Sequence, residues 1–170
     1  MVVSPAVRWI RGTIPAGNPG NRRTVGVMHA LALEGMTHPE VYTRARSIVR
    51  DVLPYDDLGE LEALQQFVRD QVRYTRDPLR TEAVQRPDLT LAWGTGDCDD
   101  KATLLGSMLG SVGTPWRFVM VATSRQRPQQ FSHVYAEGYA RGRWVPLETI
   151  IPGAPIGWVP PGYRREVVAP

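Results

Sequence analysis

The chain has 170 residues, which is enough for one domain whose hydrophobic core is stable without disulfides or metal. Apolar residues make up 42% and charged residues 22%, values that exclude a disordered chain or a membrane protein as the main class. The net charge is only +3 and the sequence has no Lys/Arg run, so no nucleic-acid partner is expected. Because no membrane-span-length apolar run or signal-peptide core is present, we expect a cytoplasmic protein.

Both ends of the chain are predicted to be extended arms around a body formed by residues 24–150. Residues 1–23 are rich in Gly, Pro, Asn and Arg and show no helical or strand periodicity. Residues 151–170 form a proline-rich tail, and prolines at this density exclude a helix and a central strand. Arms of this kind suit contacts with other subunits.

Three helices are predicted in the first part of the body. The first, over residues 24–35, has a weak apolar pattern, and the second begins at Thr37, where Glu40 completes a capping-box pattern. The third runs from about Asp57 to Arg73, with apolar residues at helical spacing. A long connection from about residue 75 to residue 95 follows, and connections of that length are often functional.

A fourth helix and three strands complete the predicted domain. The helix begins at Cys98, and Gly113 ends it. The strands cover residues 117–123, 132–140 and 143–149, with a tight hairpin at Arg141 and Gly142. Helices followed by antiparallel strands are typical of an α+β domain, so we predict N-terminal helices packed on an antiparallel sheet.

Cys98 is the single cysteine of the chain and lies where the fourth helix begins. Asp97 is predicted to cap this helix, which places the sulfur at the first helical position. The partial positive charge of a helix N-terminus stabilises a thiolate, whereas the negative charges of Asp99 and Asp100 oppose it. The sequence leaves this balance open. A core cysteine and a metal ligand are the competing interpretations, but core cysteines rarely lie at a polar corner and no ligand pair has a metal-site spacing.

His133 and Glu148 are the candidate base and orienting acid for that thiol. Simple pairing around the hairpin places residue 133 near residue 150, so that Glu148 is a diagonal neighbour of His133. A carboxylate there would hold the imidazole by its second nitrogen, as in a catalytic triad. The other two histidines, His29 and His38, are most simply structural or exposed.

Two stretches of the sequence resemble the transglutaminase-like domains of the papain-like cysteine peptidase superfamily. The first, "GTGDCDDKATLL" at residues 94–105, has the Gly-Asp-Cys motif that opens a helix, and a G-x-P-x-R-x-V strand entry follows at residues 113–119. The second, "HVYAEGYARGRWVPLE" at residues 133–148, has a His-aromatic strand and a Trp-Val-x-Leu-acid strand. The resemblance covers about residues 57–150.

The resemblance implies a papain-like core with the nucleophile at the start of a central helix. Cys98 matches the nucleophile and His133 the base, and Glu148 occupies the position of an orienting acid that is usually Asp. The oxyanion hole would combine the Cys98 backbone N–H with a side chain, for which Tyr74 is the first candidate and Trp93 the second. No cofactor or metal is expected.

A softer resemblance links the chain to proteins of bacteriophage or prophage origin. The residues that carry it are Asp77-Pro78, Gln85, Pro87, Thr90-Leu91, Gly157-Trp158 and Pro160-Pro161. It implies a virion-associated location and contacts between the arms and other phage structural proteins.

Three functions are therefore weighed. The favoured one is a thiol enzyme that forms a Cys98 thioester with a protein or peptide, peptidoglycan peptides included, and hydrolyses it more readily than it transfers it. The alternative is a virion structural or assembly protein with little or no catalysis. A redox or metal sensor is disfavoured because Cys98 has no second cysteine as partner.

Overall fold

The computed structural model describes residues 15–76 and 83–168. Over these residues the helices come first and the long strands afterwards, which confirms the predicted α+β class. The elements are α1 (Asn18–Gly35), α2 (Pro39–Val49), α3 (Asp57–Gln71), β1 (Arg73–Tyr74), α4 (Pro87–Trp93), β2 (Thr95–Gly96), α5 (Cys98–Ser111), β3 (Trp116–Ala122), β4 (His133–Ala140), β5 (Arg143–Leu147) and β6 (Arg164–Val168). None of the described helices has the length and hydropathy that a membrane span requires.

Helix α5 is the centre of the molecule. It packs against α1, α2, α3 and α4 on one side and against β3 and β4 on the other. Its apolar residues Leu104, Leu105, Met108 and Leu109 have no exposed surface. Burying a side chain of this size stabilises the fold by about 1.5–3 kcal/mol. The nucleophile candidate at the start of α5 therefore sits on the most firmly packed element of the domain.

The four long strands form one antiparallel sheet in the order β5-β4-β3-β6. Strands β4 and β5 are joined by Arg141 and Gly142, whose φ angles of 49° and 80° are those of a two-residue hairpin turn. Their register pairs Ala136 with Leu147, so Glu148 lies just beyond the last paired residue and diagonal to His133, as predicted. The face toward the helices carries the main core, while Val119, Val121 and Tyr135 form a smaller cluster.

The N-terminal predictions require two corrections. Helix α1 begins at Asn18, with a proline in its first turn, so residues 18–23 are helical and not part of an extended arm; residues 1–14 lie outside the described residues. The predicted capping box at Thr37 is wrong, because α2 is capped at His38 with Pro39 as its first residue. The Thr37 hydroxyl instead donates to the Glu34 carbonyl at 3.2 Å, closing the preceding turn.

The predicted connection from residue 75 to residue 95 contains ordered elements that the sequence analysis missed. Helix α4 starts with Pro87 and ends at Gly94, whose φ of 62° is left-handed. The third predicted helix ends at Gln71, and the next residues form β1, which pairs in parallel with β2. This pairing brings Tyr74 opposite Gly96, at the entrance to the cysteine turn.

The proline-rich tail returns to the sheet. The Gly157 N–H donates to the Pro146 carbonyl at 2.8 Å on β5, and the Tyr163 N–H donates to the Ala122 carbonyl at 2.9 Å on β3. Strand β6 then pairs with β3 as an edge strand. Gly162 allows this close approach, because a Cβ at that position would collide with Val121. The predicted exclusion of a central strand is consistent with this edge position.

Candidate active site

The turn before α5 is fixed by a reciprocal capping box. Asp97 is the N-cap, as predicted, and its Oδ1 accepts hydrogen bonds from the N–H groups of Asp99 at 2.9 Å and Asp100 at 3.3 Å. In return the Asp100 carboxylate accepts the Asp97 N–H at 3.1 Å and the Gln85 N–H at 2.7 Å. These bonds hold Cys98 at the first helical position, and its own N–H is not one of the amides they use.

The surroundings of the Cys98 thiol favour its neutral form. Burial raises the pKa of the thiol, the negative charges of Asp99 and Asp97 raise it further, and the result lies well above the ordinary value. The sulfur donates a hydrogen bond to Asp99 Oδ1 at 3.4 Å, which also favours the protonated form. Burial and the aspartates therefore outweigh the stabilisation of a thiolate by the helix N-terminus, and the resting nucleophile is a thiol.

His133 and Glu148 form a short hydrogen bond at the edge of the sheet. His133 Nε2 lies 2.7 Å from Glu148 Oε2, and the Glu148 side chain is fully buried. Burial opposes ionisation of this carboxyl, but the bond and charge of His133 outweigh it and hold the Glu148 pKa below its usual value. The N–H groups of Thr149 and Ile150 each donate to Oε1 at 2.8 Å and act in the same direction.

The protonation pattern of this pair follows from the carboxylate. An ionised Glu148 can only accept, so Nε2 of His133 carries a proton and donates it to Oε2. The second nitrogen, Nδ1, is then the one that can take up or release a proton. Glu148 thus holds the imidazole in one orientation and one tautomer, and its role as the orienting acid of a catalytic triad stays a prediction.

The thiol lies near the beginning of β4. The backbone of Val134, the residue that follows His133, is close enough to the Cys98 sulfur to lower the pKa of the thiol, although burial and the two aspartates outweigh this effect. Helix α5 and strand β4 pack directly against each other, so the nucleophile and the base candidates are brought together by the core of the domain. The three residues predicted as a triad therefore lie in one region of the structure.

The two aromatic candidates lie on either side of the cysteine turn. Tyr74 is paired with Gly96 in the β1–β2 ladder, and 42% of its surface is exposed. Trp93 is the last residue of α4, just before Gly94, and is 49% exposed. Trp93 is close to Cys98 in sequence, whereas Tyr74 is brought near the turn by the β1–β2 pairing. The role of each as an oxyanion donor remains a prediction.

Two buried polar residues support this site and were missed by the sequence analysis. Gln65 of α3 donates to the Glu148 carbonyl at 2.6 Å and to the Ala154 carbonyl at 2.9 Å. Lys101 of α5 donates to the carbonyls of Val72 at 2.5 Å and Arg69 at 3.2 Å, at the end of α3. Burial lowers the pKa of Lys101 to about 8. Both residues are polar and lie within predicted helices, where the sequence pattern gives no sign that their side chains are buried.

A group that could hold a metal ion occurs within the described ranges at the cysteine turn. Asp97, Cys98 and Asp99 offer ligand atoms that all lie within 4.8 Å of one another. Asp97 Oδ1 already accepts two backbone N–H groups, so this carboxylate serves as the cap of α5.

Comparisons with known proteins agree with this geometry. Residues 44–149 match the family model of the transglutaminase-like superfamily core. A structure named "Putative Cysteine Protease" from Cytophaga hutchinsonii has a TM-score of 0.54 at 18% identity, over 65% of this chain and 36% of that one. A structure named "Putative Protease" from Parabacteroides distasonis has a TM-score of 0.59 at 14% identity, over 78% of this chain and 26% of that one.

The similarities to the two solved structures cover only part of those proteins. The chain spans 36% and 26% of the lengths of the two solved proteins, which are therefore much larger. At these identities the likeness shows a shared fold, and function has to be argued from the site itself. No curated protein matches the chain significantly.

Proposed function

This chain belongs to the transglutaminase-like superfamily, and from that premise we propose that it is a thiol enzyme acting on peptide or carboxamide carbonyls. The observation that carries the proposal is the 2.7 Å hydrogen bond between His133 and Glu148, formed at the start of β4, the strand that packs against the helix that begins at Cys98. A nucleophile, a base and an orienting acid are the parts that nucleophilic catalysis by a thiol requires.

Acylation begins from the neutral thiol. The Cys98 sulfur attacks the carbonyl carbon while His133 Nδ1 takes the thiol proton, and Glu148 stabilises the imidazolium that results. The tetrahedral intermediate collapses as the C–N bond breaks, and His133 returns its proton to the departing amine. The products are a Cys98 thioester and a free amine or ammonia. Because burial and the charges of Asp99 and Asp97 keep the resting sulfur protonated, proton removal accompanies the attack instead of preceding it.

Deacylation uses the same groups in reverse. Water, or a primary amine, gives a proton to His133 as it attacks the thioester carbonyl, and the thiol of Cys98 is regenerated when the imidazolium returns that proton. Water produces a carboxylic acid, and an amine produces a new amide. We propose hydrolysis as the main outcome, since a small domain with a half-buried nucleophile needs no acceptor site to hydrolyse its thioester.

The developing negative charge on the carbonyl oxygen needs donors beside the sulfur. The Cys98 backbone N–H is the first, because the capping box leaves it out and the helix N-terminus favours negative charge there. Tyr74 is proposed as the second donor because the β1–β2 pairing places it opposite Gly96, at the entrance to the same turn. Trp93 is the alternative donor from the other side of that turn.

The natural substrate is proposed to be a protein or a peptide, with peptidoglycan peptides as one candidate class. The virion association and the contacts with phage structural proteins stay predictions. A non-catalytic assembly role is the competing function. An assembly role can be distinguished from the enzyme by one measurement, because it does not require His133 to affect the reactivity of Cys98.

Alkylation of Cys98 by iodoacetamide between pH 6 and pH 10 tests that coupling. The wild type is compared with His133→Ala and with His38→Ala, a control histidine that lies beside Asp88. We expect His133→Ala to react about tenfold more slowly at pH 7, because general-base assistance is lost, and the difference to narrow toward pH 10 as hydroxide takes over that role. Equal rates for the wild type and His133→Ala at every pH would contradict the enzyme and favour the assembly role.

A further inference from the structure

The segment that leads into His133 is held by the first turn of α1. Asn18 donates its side-chain N–H to the Gln129 carbonyl at 2.7 Å, and its Oδ1 accepts the Phe131 N–H at 3.0 Å. Asn21 donates to the Phe131 carbonyl at 2.6 Å. Both polar groups of the Phe131 backbone are therefore bound by side chains from more than 100 positions earlier in the sequence.

The other side of the same segment is closed by β6. The guanidinium of Arg164 lies over the Phe131 ring at 5.1 Å from its centre and reaches Glu166 at 3.5 Å. Arg22, the residue that follows Asn21, forms an ion pair with the same Glu166 at 2.7 Å. Ion pairs through Glu166 thus connect the first turns of α1 with the edge strand β6 beside Phe131. The Phe131 side chain is buried in the core.

Only Ser132 separates this anchored residue from the base. The Ser132 N–H donates to the Val121 carbonyl at 3.0 Å, and its hydroxyl contacts that of Thr123 at 2.8 Å. The backbone from Phe131 to His133 is consequently fixed at each residue, by α1, by the end of β3, and by the β3–β4 pairing of Val121 with His133. Movement at Phe131 would be passed directly to the imidazole.

We propose that Asn18 and Asn21 are positioning residues for His133, which makes the first turn of α1 part of the catalytic apparatus. The inference rests on the proposed function, in which His133 is the base. Residues 18 and 21, like β6, lie outside the segment 44–149 that matches the superfamily core. Displacements on the order of 1 Å can slow a catalytic step about a hundredfold, so an anchor at this point controls the rate.

The double variant Asn18→Ala/Asn21→Ala tests the proposal with two readouts. The first is hydrogen exchange of the Phe131 amide, which we expect to accelerate at least about tenfold because its acceptor is removed. The second is the pH profile of Cys98 alkylation by iodoacetamide. We expect a loss of about tenfold at pH 7 that narrows toward pH 10, where hydroxide increasingly takes over removal of the thiol proton. A purely structural weakening would not confine its effect to neutral pH.

Three controls complete the experiment. Gln129→Ala changes an exposed side chain of the same segment and should leave both readouts unchanged. Asn18→Asp keeps the acceptor for the Phe131 N–H and should preserve most of its protection. Addition of His133→Ala to the double variant should cause no further loss at pH 7, because the two changes remove the same assistance. Circular dichroism and urea denaturation of each variant verify that it is folded.

The outcomes separate the two proposals. If His133→Ala slows alkylation but the double variant does not, or if Phe131 exchange is unchanged, the positioning role is wrong and the enzyme stands. If the losses of the double variant and of His133→Ala add, the asparagines act on something other than His133, and the positioning role is again wrong. If His133→Ala itself has no effect, the proposed function fails and takes the positioning role with it, whatever the exchange rates show.

Discussion

The cysteine side and the histidine side of the site are built in opposite ways. Cys98 is fixed by bonds among residues 97–100, which are adjacent in sequence. His133 is fixed by Glu148 from the next strand and by Asn18 and Asn21 from α1. A local motif can place a nucleophile with little help from the rest of the fold, whereas the base depends on contacts that only the folded chain creates.

The carboxylates on the two sides also have opposite effects. Asp99 lies beside a group that becomes negative on ionisation, and it therefore raises the pKa of Cys98. Glu148 accepts a hydrogen bond from His133, and this bond lowers the pKa of Glu148 although burial opposes its ionisation. In the proposed mechanism, Asp99 helps to keep the proton on the sulfur at rest, and Glu148 orients the histidine that receives it. The following predictions test this division of roles.

The largest expected effect belongs to Glu148→Gln. A glutamine can present a donor to His133 Nε2 and so favour the wrong tautomer, and we expect the acylation rate of Cys98 to fall about 10²- to 10⁴-fold. The measurement is single-turnover acylation by p-nitrophenyl acetate, with Cys98→Ala as the blank. Glu148→Asp keeps the carboxylate and should recover part of the rate. A rate for Glu148→Gln within about twofold of the wild type would show that Glu148 does not orient the base.

The next effect concerns the buried cation on the cysteine side. The pKa of Lys101 is about 8 in the folded protein, whereas the ordinary value is 10.5. Between these values the unfolded chain binds more protons than the folded one, so the contribution of Lys101 to stability is lost as pH falls through 8 and regained toward 10.5. We expect the free energy of unfolding of the wild type, relative to Lys101→Met, to rise by on the order of 2 kcal/mol over this window.

Urea denaturation of both proteins at several pH values from 7 to 10.5 measures this difference. Groups shared by the two chains cancel in the comparison, so the slope reports Lys101 alone. A difference that does not change with pH would mean that the lysine titrates at its ordinary pKa and that burial of its ammonium group does not disfavour the charged form.

The contrast between local bonds around Cys98 and distant contacts around His133 also explains which features could be predicted from the sequence. The start of α5, the hairpin at Arg141 and Gly142, and the diagonal placement of Glu148 were predicted because each follows from spacing and turn chemistry within a short stretch. The same local reasoning failed at Thr37. The helix begins one residue later than predicted, with His38 as its N-cap, because Pro39 is favoured at the first helical position.

The remaining features depend on contacts between distant segments. Nothing in the local sequence marks Asn18 and Asn21 as partners of Phe131, or Gln65 as a partner of the Glu148 carbonyl. Strand β6 was missed because its stability comes from pairing with β3 and not from its own composition. The direction of the Cys98 pKa shift required the burial of the sulfur and the position of Asp99, which spacing alone does not supply.

A smaller effect is expected for Asp97→Ala, which removes the cap on the cysteine side. The N–H groups of Asp99 and Asp100 lose their acceptor, and we expect the free energy of unfolding to fall by about 1 kcal/mol. Asp56→Ala is the matched control, because Asp56 is the N-cap of α3 but its side chain makes no capping bond. Urea denaturation of the two variants provides the comparison. Equal losses would show that the capping box adds nothing at Asp97.

The smallest predicted effect is an increase in reactivity. Asp99→Asn removes a negative charge and the charged acceptor of the Cys98 hydrogen bond, both of which raise the thiol pKa. The pKa should therefore fall, the thiolate fraction at pH 7 should rise, and iodoacetamide should react about three- to tenfold faster. Asp51→Asn, an exposed position beside Arg50, is the charge-matched control and should leave the rate unchanged. Unchanged or slower alkylation in Asp99→Asn would mean that this carboxylate does not hold the proton on sulfur, and the contrast between the two sides of the site would then rest on burial of the thiol alone.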